Sequence, residues 1–147
     1  MNLSAHFTLA EMEFSEIAAR HGIDNQATPD GVIGLTNLCT LILEPVREHF
    51  GVVVVTSGNR NLRVNRLVGS KDTSQHIATE EHAAADIKVP GVRPLTLCDW
   101  IAAAGLPFDQ LIHEFGAWSH CSWSVKPRGT LLTIDRQGTR AGLLEVR

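Results

Sequence analysis

Two hydrophobic periodicities divide this chain. In the first third the apolar positions recur every three or four residues: Leu38, Leu41, Ile42, Val46 and Phe50 share one side of a helix read from about Leu35 to Phe50, with Pro45 expected to kink it. Ahead of it, Thr8-Leu9-Ala10-Glu11 is a capping-box pattern and Gly22 follows Ala18-Ala19-Arg20-His21, which brackets a first helical region broken near Phe14-Ser15. The stretch from Gln26 to Gly34, holding Pro29-Asp30-Gly31, reads as a loop. Beyond residue 50 the apolar runs become short. Val52-Val53-Val54-Val55-Thr56 is a continuous β-branched run that fits a strand buried on both faces. It ends in a turn at Ser57-Gly58-Asn59-Arg60, and Leu62 to Val68 follows as a short helix stopped by Gly69. Ala84 to Val89 and Gln110 to Glu114 are further strands; between them Thr96-Leu97-Cys98-Asp99 starts a helix that Gly105 and Pro107 end. His120 to Val125 and Leu131 to Asp135 are expected to pair as a hairpin across Lys126-Pro127-Arg128-Gly129. Helices early and strands late predict an α+β domain with a mainly antiparallel sheet.

Composition narrows the class. A chain of 147 residues with 44% hydrophobic and 20% charged residues suits one domain, residues 1–147, with one core. A net charge of -3 offers no electrostatic case for nucleic acid. Cys39, Cys98 and Cys121 are odd in number and lack C-x-x-C spacing, so they read as buried small hydrophobes and not as a disulfide framework or thiolate metal site. The opening residues carry no basic stretch followed by an apolar run, so no signal peptide is expected, and no segment approaches membrane-spanning length.

The chemistry lies in polar residues set beside the apolar runs. His76, Asp86 and His120 are two imidazoles and a carboxylate, the set that holds a hydrolytic zinc with one position open. In His120-Cys121-Ser122-Trp123 strand alternation puts His120 and Ser122 on one face. Asp86 follows three alanines and precedes Ile87, where an unpaired carboxylate is costly and a cation offsets the cost. Glu114 stands ready as the proton carrier.

The ordered motifs resemble the zinc D,D-peptidase (peptidase M15) family, especially its small phage and bacterial members. They are His6-Phe7-Thr8-Leu9-Ala10-Glu11, Leu43-Glu44-Pro45-Val46-Arg47, Ser57-Gly58-Asn59-Arg60, Ser74-Gln75-His76, Ala84-Ala85-Asp86, Phe108-Asp109-Gln110-Leu111-Ile112-His113-Glu114 and Trp118-Ser119-His120-Cys121-Ser122. Any one is weak, but seven in the family's order are hard to obtain by chance. The resemblance implies a Hedgehog-like α+β fold, zinc on His76, Asp86 and His120, Glu114 as general base and acid, and Arg60 gripping or polarising the substrate in a two-bond fork. Ser74 is expected to assist by bonding the substrate or supporting a ligand. The implied substrate is a peptidoglycan stem peptide or cross-link containing D-alanine. With no signal peptide, such an enzyme waits in the host cytoplasm or in a virion before it reaches the wall, as a phage endolysin or virion-associated lysin would. It is expected to be a monomer, with no membrane partner and with attachment to a virion open to it.

Two departures from the family pattern matter. Asp86 lies ten residues after His76 where the family has seven, and the segment Ile77 to His82 lacks the expected glycine. His82, four residues before Asp86, is therefore a rival ligand if the segment is helical; His76 is preferred because it alone follows Ser-Gln. In many relatives the catalytic carboxylate lies three residues before the last histidine, where this chain has Ala117, so Phe115-Gly116-Ala117 must be a turn or bulge that returns Glu114 to the site. Both departures support an alternative reading, a non-catalytic wall-binding or virion structural module on the same fold. His6, His21, His49 and His113 are expected to be structural or solvated, and Trp118 and Trp123 to be core or pocket wall.

Overall fold

Local capping sets the helical half of the molecule. In a computed structural model, which describes residues 1–146, the Thr8 hydroxyl accepts the Glu11 N–H at the head of α1 (Leu9–Glu13). The chain turns extended at Phe14, and the Ser15 hydroxyl accepts the Ala18 N–H to open α2 (Glu16–His21), which Gly22 closes at φ 61°. The break near Phe14-Ser15 is thus two caps meeting. The stretch read as a loop from Gln26 to Gly34 is instead largely helical. Thr28 accepts the Gly31 N–H, and Pro29 takes the first turn of α3 (Pro29–Leu38), where its missing N–H leaves nothing unpaired. A π turn (Cys39–Leu43) joins α3 to α4 (Glu44–Phe50). Pro45 has no N–H to donate, and the turn before it widens so that the Glu44 N–H reaches the Cys39 carbonyl.

The sheet has six strands: β1 (Val54–Ser57), β2 (His82–Lys88), β3 (Phe108–Glu114), β4 (Trp118–Ser124), β5 (Thr130–Asp135) and β6 (Gly138–Ala141), in the order β1-β2-β4-β3-β5-β6. Two helices interrupt them, α5 (Leu62–Leu67), ended as expected ahead of Gly69, and α6 (Pro94–Ala103). Two strand expectations fail. The valine run is not buried on both faces: β1 is an edge strand paired only with β2, and Val52 and Val54 are 57% and 43% exposed. β-branched composition reports a pleated environment without distinguishing an edge from a centre. Nor do β4 and β5 form a hairpin. Both edges of β4 are taken by β2 and β3, so β5 pairs parallel to β3 in the register Ile112↔Leu132. Asp109 accepts the Arg128 main-chain N–H and both ends of its guanidinium fork, and the Gly129 N–H reaches the Phe108 carbonyl. These bonds draw the 125–129 connection to the start of β3. Even so, the architecture is α+β with a mainly antiparallel sheet.

Strand alternation gives the sheet two different faces. Ala83, Ala85, Ile87, Leu111, Cys121 and Trp123 join the core with Leu35, Leu38, Ile42, Leu43 and Val46 from the long helical segment and Leu97 and Ile101 from α6. All three cysteines are free and buried. The opposite face carries Asp86, His120, Ile112 and Glu114. Gly34 lets α3 lie directly on the segment before β2: a Cβ there would stand 2.1 Å from the Thr79 carbonyl oxygen and 2.7 Å from that of His82. Among the described residues no helix is long and apolar enough to cross a membrane.

Two predictions follow from this packing. Gly34→Ala should cost about 3 kcal/mol in urea unfolding, since main-chain atoms cannot yield as a flexible side chain would; a loss under about 0.5 kcal/mol would show that α3 does not rest on this backbone. The Arg128 hydrogen bonds, aided by Gln75 and opposed by burial, hold the Asp109 carboxyl down at about 2 against an ordinary 3.8. A depressed folded pKa contributes stability that is complete above the unfolded value and is lost as pH falls through the folded one. The stability gap between the wild type and Asp109→Asn should therefore narrow between pH 3.8 and about 2. A gap constant across that window would disprove the pairing.

Candidate metal centre

Register brings the site together. Asp86 on β2 stands directly opposite His120 on β4, and His120 stands opposite Ile112 on β3, so these side chains share the helix-free face of the sheet. His76 belongs to no strand. It is held from the turn after β1: the Arg60 N–H donates to the His76 carbonyl at 2.8 Å, and the His76 ring donates from Nδ1 to the Gly58 carbonyl at 2.7 Å. That turn is itself pressed on α1. The Asn59 N–H reaches the Met12 carbonyl, and a Cβ at Gly58 would lie 2.4 Å from the same oxygen. The Ser-Gly-x-Arg sequence thus supplies the clamp for the first histidine as well as an arginine.

Three acceptor-capable atoms converge. His120 Nδ1 is 3.1 Å from Asp86 Oδ1, His76 Nε2 is 3.5 Å from the same oxygen, and the two imidazole nitrogens are 3.3 Å apart. Because Nδ1 of His76 donates to Gly58, Nε2 carries its lone pair toward the other two. The group fits a metal ion on two counts. Ligand atoms bound at about 2.1 Å in a tetrahedron are separated by about 3.4 Å, which the three observed distances bracket. The donor set is also chemically correct, with buried imidazole and carboxylate at 4%, 6% and 8% exposure for His76, Asp86 and His120. Burial pushes the His76 imidazole below its ordinary value, toward the neutral form that ligates. Burial opposes ionisation of Asp86, but the hydrogen bond from His120 and the closeness of the His76 imidazole prevail and hold it well below the usual carboxylate range.

The remaining expected residues surround this trio. Glu114 faces it from β3, next to Ile112 on the same face. Burial raises its carboxyl above the ordinary value, Asp86 adds to the rise, and His120 and Arg60 oppose it. Phe115 and Gly116 both have positive φ, 55° and 64°, and form with Ala117 the tight turn between Glu114 and Trp118. The three residues separating Glu114 from the motif tryptophan are therefore looped out, and the carboxylate stays on the site face. Arg60 is largely buried. Its Nη2 lies 3.6 Å from Asp86 Oδ2, while Ser57, Asn65 and Ser70 accept from Nε and Nη1 at 3.2, 3.5 and 3.3 Å. The Ser74 hydroxyl accepts the His76 N–H at 3.2 Å.

His82 lies apart from the trio. Residues 82–88 are a strand and not a helix, so four residues separate His82 from Asp86 by about 13 Å along the same face. The three extra residues are taken up in the turn where the Thr79 N–H meets the His82 carbonyl. Of the other histidines, His113 is buried and its Nδ1 bonds the Leu144 carbonyl, His6 pairs with Glu44, His21 bonds the Ile17 carbonyl, and His49 stacks on Trp100. Sequence reasoning passed over Asp109 and the three residues that hold Arg60. Asp109 sat inside a quoted motif, Ser57 headed another, and only Asn65 and Ser70 left no signal.

A cleft of about 680 Å³ opens beside His120. Its floor is Ile112, Leu132 and Ile134, and its polar wall includes Ser74, Gln75, His82, Gln110 and Arg128. The arrangement can hold an ion beside this cleft with a carboxylate alongside.

No curated protein matches this chain. A family model described as Peptidase M15 matches residues 5–122, a span that begins one residue before the first motif and ends on the last. It contains the imidazole and carboxylate trio, Glu114 and the Ser-Gly-x-Arg turn. The chain therefore belongs to the peptidase M15 family, and its buried His-Asp-His group is one that could bind the metal such peptidases depend on.

Proposed function

We propose that this protein is a zinc peptidase that hydrolyses a D-alanine-containing peptide bond in peptidoglycan stem peptides or cross-links. The observation that carries the reading is the convergence of His76, Asp86 and His120 to 3.1–3.5 Å beside Glu114, with His120 lining an open cleft. His76 Nε2, an Asp86 oxygen and His120 Nδ1 would hold the zinc, which when bound supplies a Lewis acid for the scissile carbonyl and acidifies the attacking water. Glu114 takes the proton from the attacking water and passes it to the leaving amine; a carboxyl raised by burial is suited to both steps. Arg60 orients the substrate from beside Asp86, its guanidinium fixed by Ser57, Asn65 and Ser70. Ser74 accepts the His76 N–H and keeps its own hydroxyl hydrogen free to donate to the substrate. The fold class proposed is the Hedgehog/D,D-peptidase type. We further assign the protein to a phage, as an endolysin or virion-associated lysin, on the sequence reading alone.

The non-catalytic alternative rested on the long His76 to Asp86 spacing and on Ala117. Both extra segments are absorbed in turns that leave the side chains facing one another, so neither feature now favours it.

Two measurements test the reading. Outer partners of a metal ligand are worth about 10- to 100-fold in affinity, so His76→Ala, His120→Ala and Asp86→Asn should each lower zinc affinity by more than about a hundredfold, while His82→Ala keeps it. Zinc retained in His76→Ala and lost in His82→Ala would reverse the ligand assignment. Glu114→Gln should reduce turnover of muropeptides, read by mass spectrometry, about a hundredfold to ten-thousandfold with zinc content unchanged. Undiminished cleavage by that variant would remove Glu114 from the chemistry, and a zinc-loaded wild type inert on every muropeptide would overturn the enzyme assignment.

A further inference from the structure

The loop between α2 and α3 buries one polar side chain among exposed neighbours. Asn25 is 7% exposed, whereas Asp24 and Gln26 on either side face solvent. Burying a polar side chain is costly unless its hydrogen bonds are met, and those of Asn25 are met in full. Its Nδ2 donates to the Glu13 carbonyl at 2.7 Å and to the Asn59 carbonyl at 2.9 Å, and its Oδ1 accepts the Asn61 N–H at 2.8 Å. Its main-chain carbonyl in turn accepts from Asn59 Nδ2 at 3.2 Å. Two donors and an acceptor on one planar group require an amide, and no carboxylate or hydroxyl can make the same set.

Those bonds end on the turn that grips His76. A peptide group is planar, so fixing one end of it aims the other. The peptide joining Asn59 to Arg60 has its carbonyl on Asn25 Nδ2 and its N–H on the His76 carbonyl. The next peptide, from Arg60 to Asn61, places its N–H on Asn25 Oδ1, so both peptide groups flanking Arg60 are anchored on one side-chain amide. The preceding peptide, from Gly58 to Asn59, runs from the Met12 carbonyl at its N–H to His76 Nδ1 at its oxygen. Gly58 has no side chain to restrain that oxygen, so its place depends on how Asn59 is held. Asn59 Oδ1 also accepts the Ala78 N–H at 3.4 Å, and each residue from Gly58 to Arg60 therefore touches the segment that carries the histidine.

We propose that Asn25 is a positioning residue for the metal centre: its amide fixes the turn around Arg60, and through that turn the main chain of His76 and the ring orientation that carries Nε2 toward Asp86 and His120. The proposal rests on the metal reading of the trio. It adds to that site a residue from the loop ahead of α3, outside every motif in the sequence. Asn25 touches no ligand atom; it acts through the acceptor that decides which imidazole nitrogen bears the proton.

The test compares Asn25→Ala with a control that loosens the fold elsewhere. Thr133→Val removes a buried hydroxyl on β5 that donates to the Gly142 carbonyl and accepts the Leu144 N–H, and both variants should lower the urea midpoint. The first readout is the histidine 15N spectrum of the metal-free protein at a pH where imidazoles are neutral. His76 should show the Nδ1–H form alone in the wild type and in Thr133→Val, and a mixture of both tautomers with faster ring-proton exchange in Asn25→Ala. The second is zinc affinity by chelator competition, which should fall about tenfold in Asn25→Ala, the lower end for outer partners of a ligand, and hold in Thr133→Val. With zinc bound by the wild type, a His76 ring or a zinc affinity that is the same in Asn25→Ala overturns the proposal, as does an equal effect of Thr133→Val. That result would leave the metal reading intact. If the wild type binds no zinc, the metal reading falls and the ring spectrum alone decides for or against Asn25. Should Asn25→Ala fail to fold, hydrogen exchange in the wild type decides: the His76 ring proton and the Asn25 side-chain amide should open together, and a ring proton that exchanges while that amide stays protected sinks the idea.

Discussion

Asp86 is a carboxylate buried in the middle of a sheet face, and much of the local architecture exists to keep it ionised there. An isolated buried charge is costly enough that proteins neutralise it or surround it. Here three groups surround it: Arg60 at 3.6 Å, His76 at 3.5 Å and His120 at 3.1 Å. They arrive from the turn after the edge strand, from an irregular segment and from the neighbouring strand. Their positions are not independent, since Gly58 and Arg60 hold His76 while Asp86 holds Arg60. Loss of any one member leaves the others with unpaired polar atoms, which is why the trio is best regarded as one electrostatic unit.

The sheet makes that unit possible by separating its faces. Every second residue of β2 and β4 joins the apolar core with the helices, so the intervening residues are presented together on the other side with their register already determined by main-chain pairing. Asp86 and His120 are partners because their strands are. The parallel pairing of β3 with β5 extends the same face into an apolar floor, and the Asp109 and Arg128 contact secures the crossing that this pairing requires. Glu114, one alternation along β3 from Ile112, sits where the field of Asp86 and its own burial keep its proton affinity high.

Much of this was legible in the order of residues. Capping at Thr8 and Ser15, the stop at Gly22, the strands carrying Asp86, Glu114 and His120, and the motif order that marks the peptidase M15 family are local or linear features, and a linear string reports them faithfully. The errors share a cause. Pro29 and Gly31 look like a loop because they break helices in isolation, yet Pro29 costs nothing in a first turn and Gly31 and Gly34 are required by the backbone that α3 packs against. The valine run names a strand but not its place in the sheet. The β4 and β5 hairpin was a good local choice defeated by a competitor, since β2 and β3 occupy both edges of β4.

The sequence by itself determined which side chains alternate together on each strand, where helices begin, and that imidazoles and carboxylates stand ready for metal and proton chemistry. Tertiary structure decided the rest. That His76 and not His82 meets Asp86, and that the extra residues on either side loop away, both follow from contacts between segments distant in the chain. Spacing along a chain counts residues, whereas ligation and hydrogen bonding depend on where atoms end in space, and only strand register and the Gly58 and Asp109 anchors set those positions.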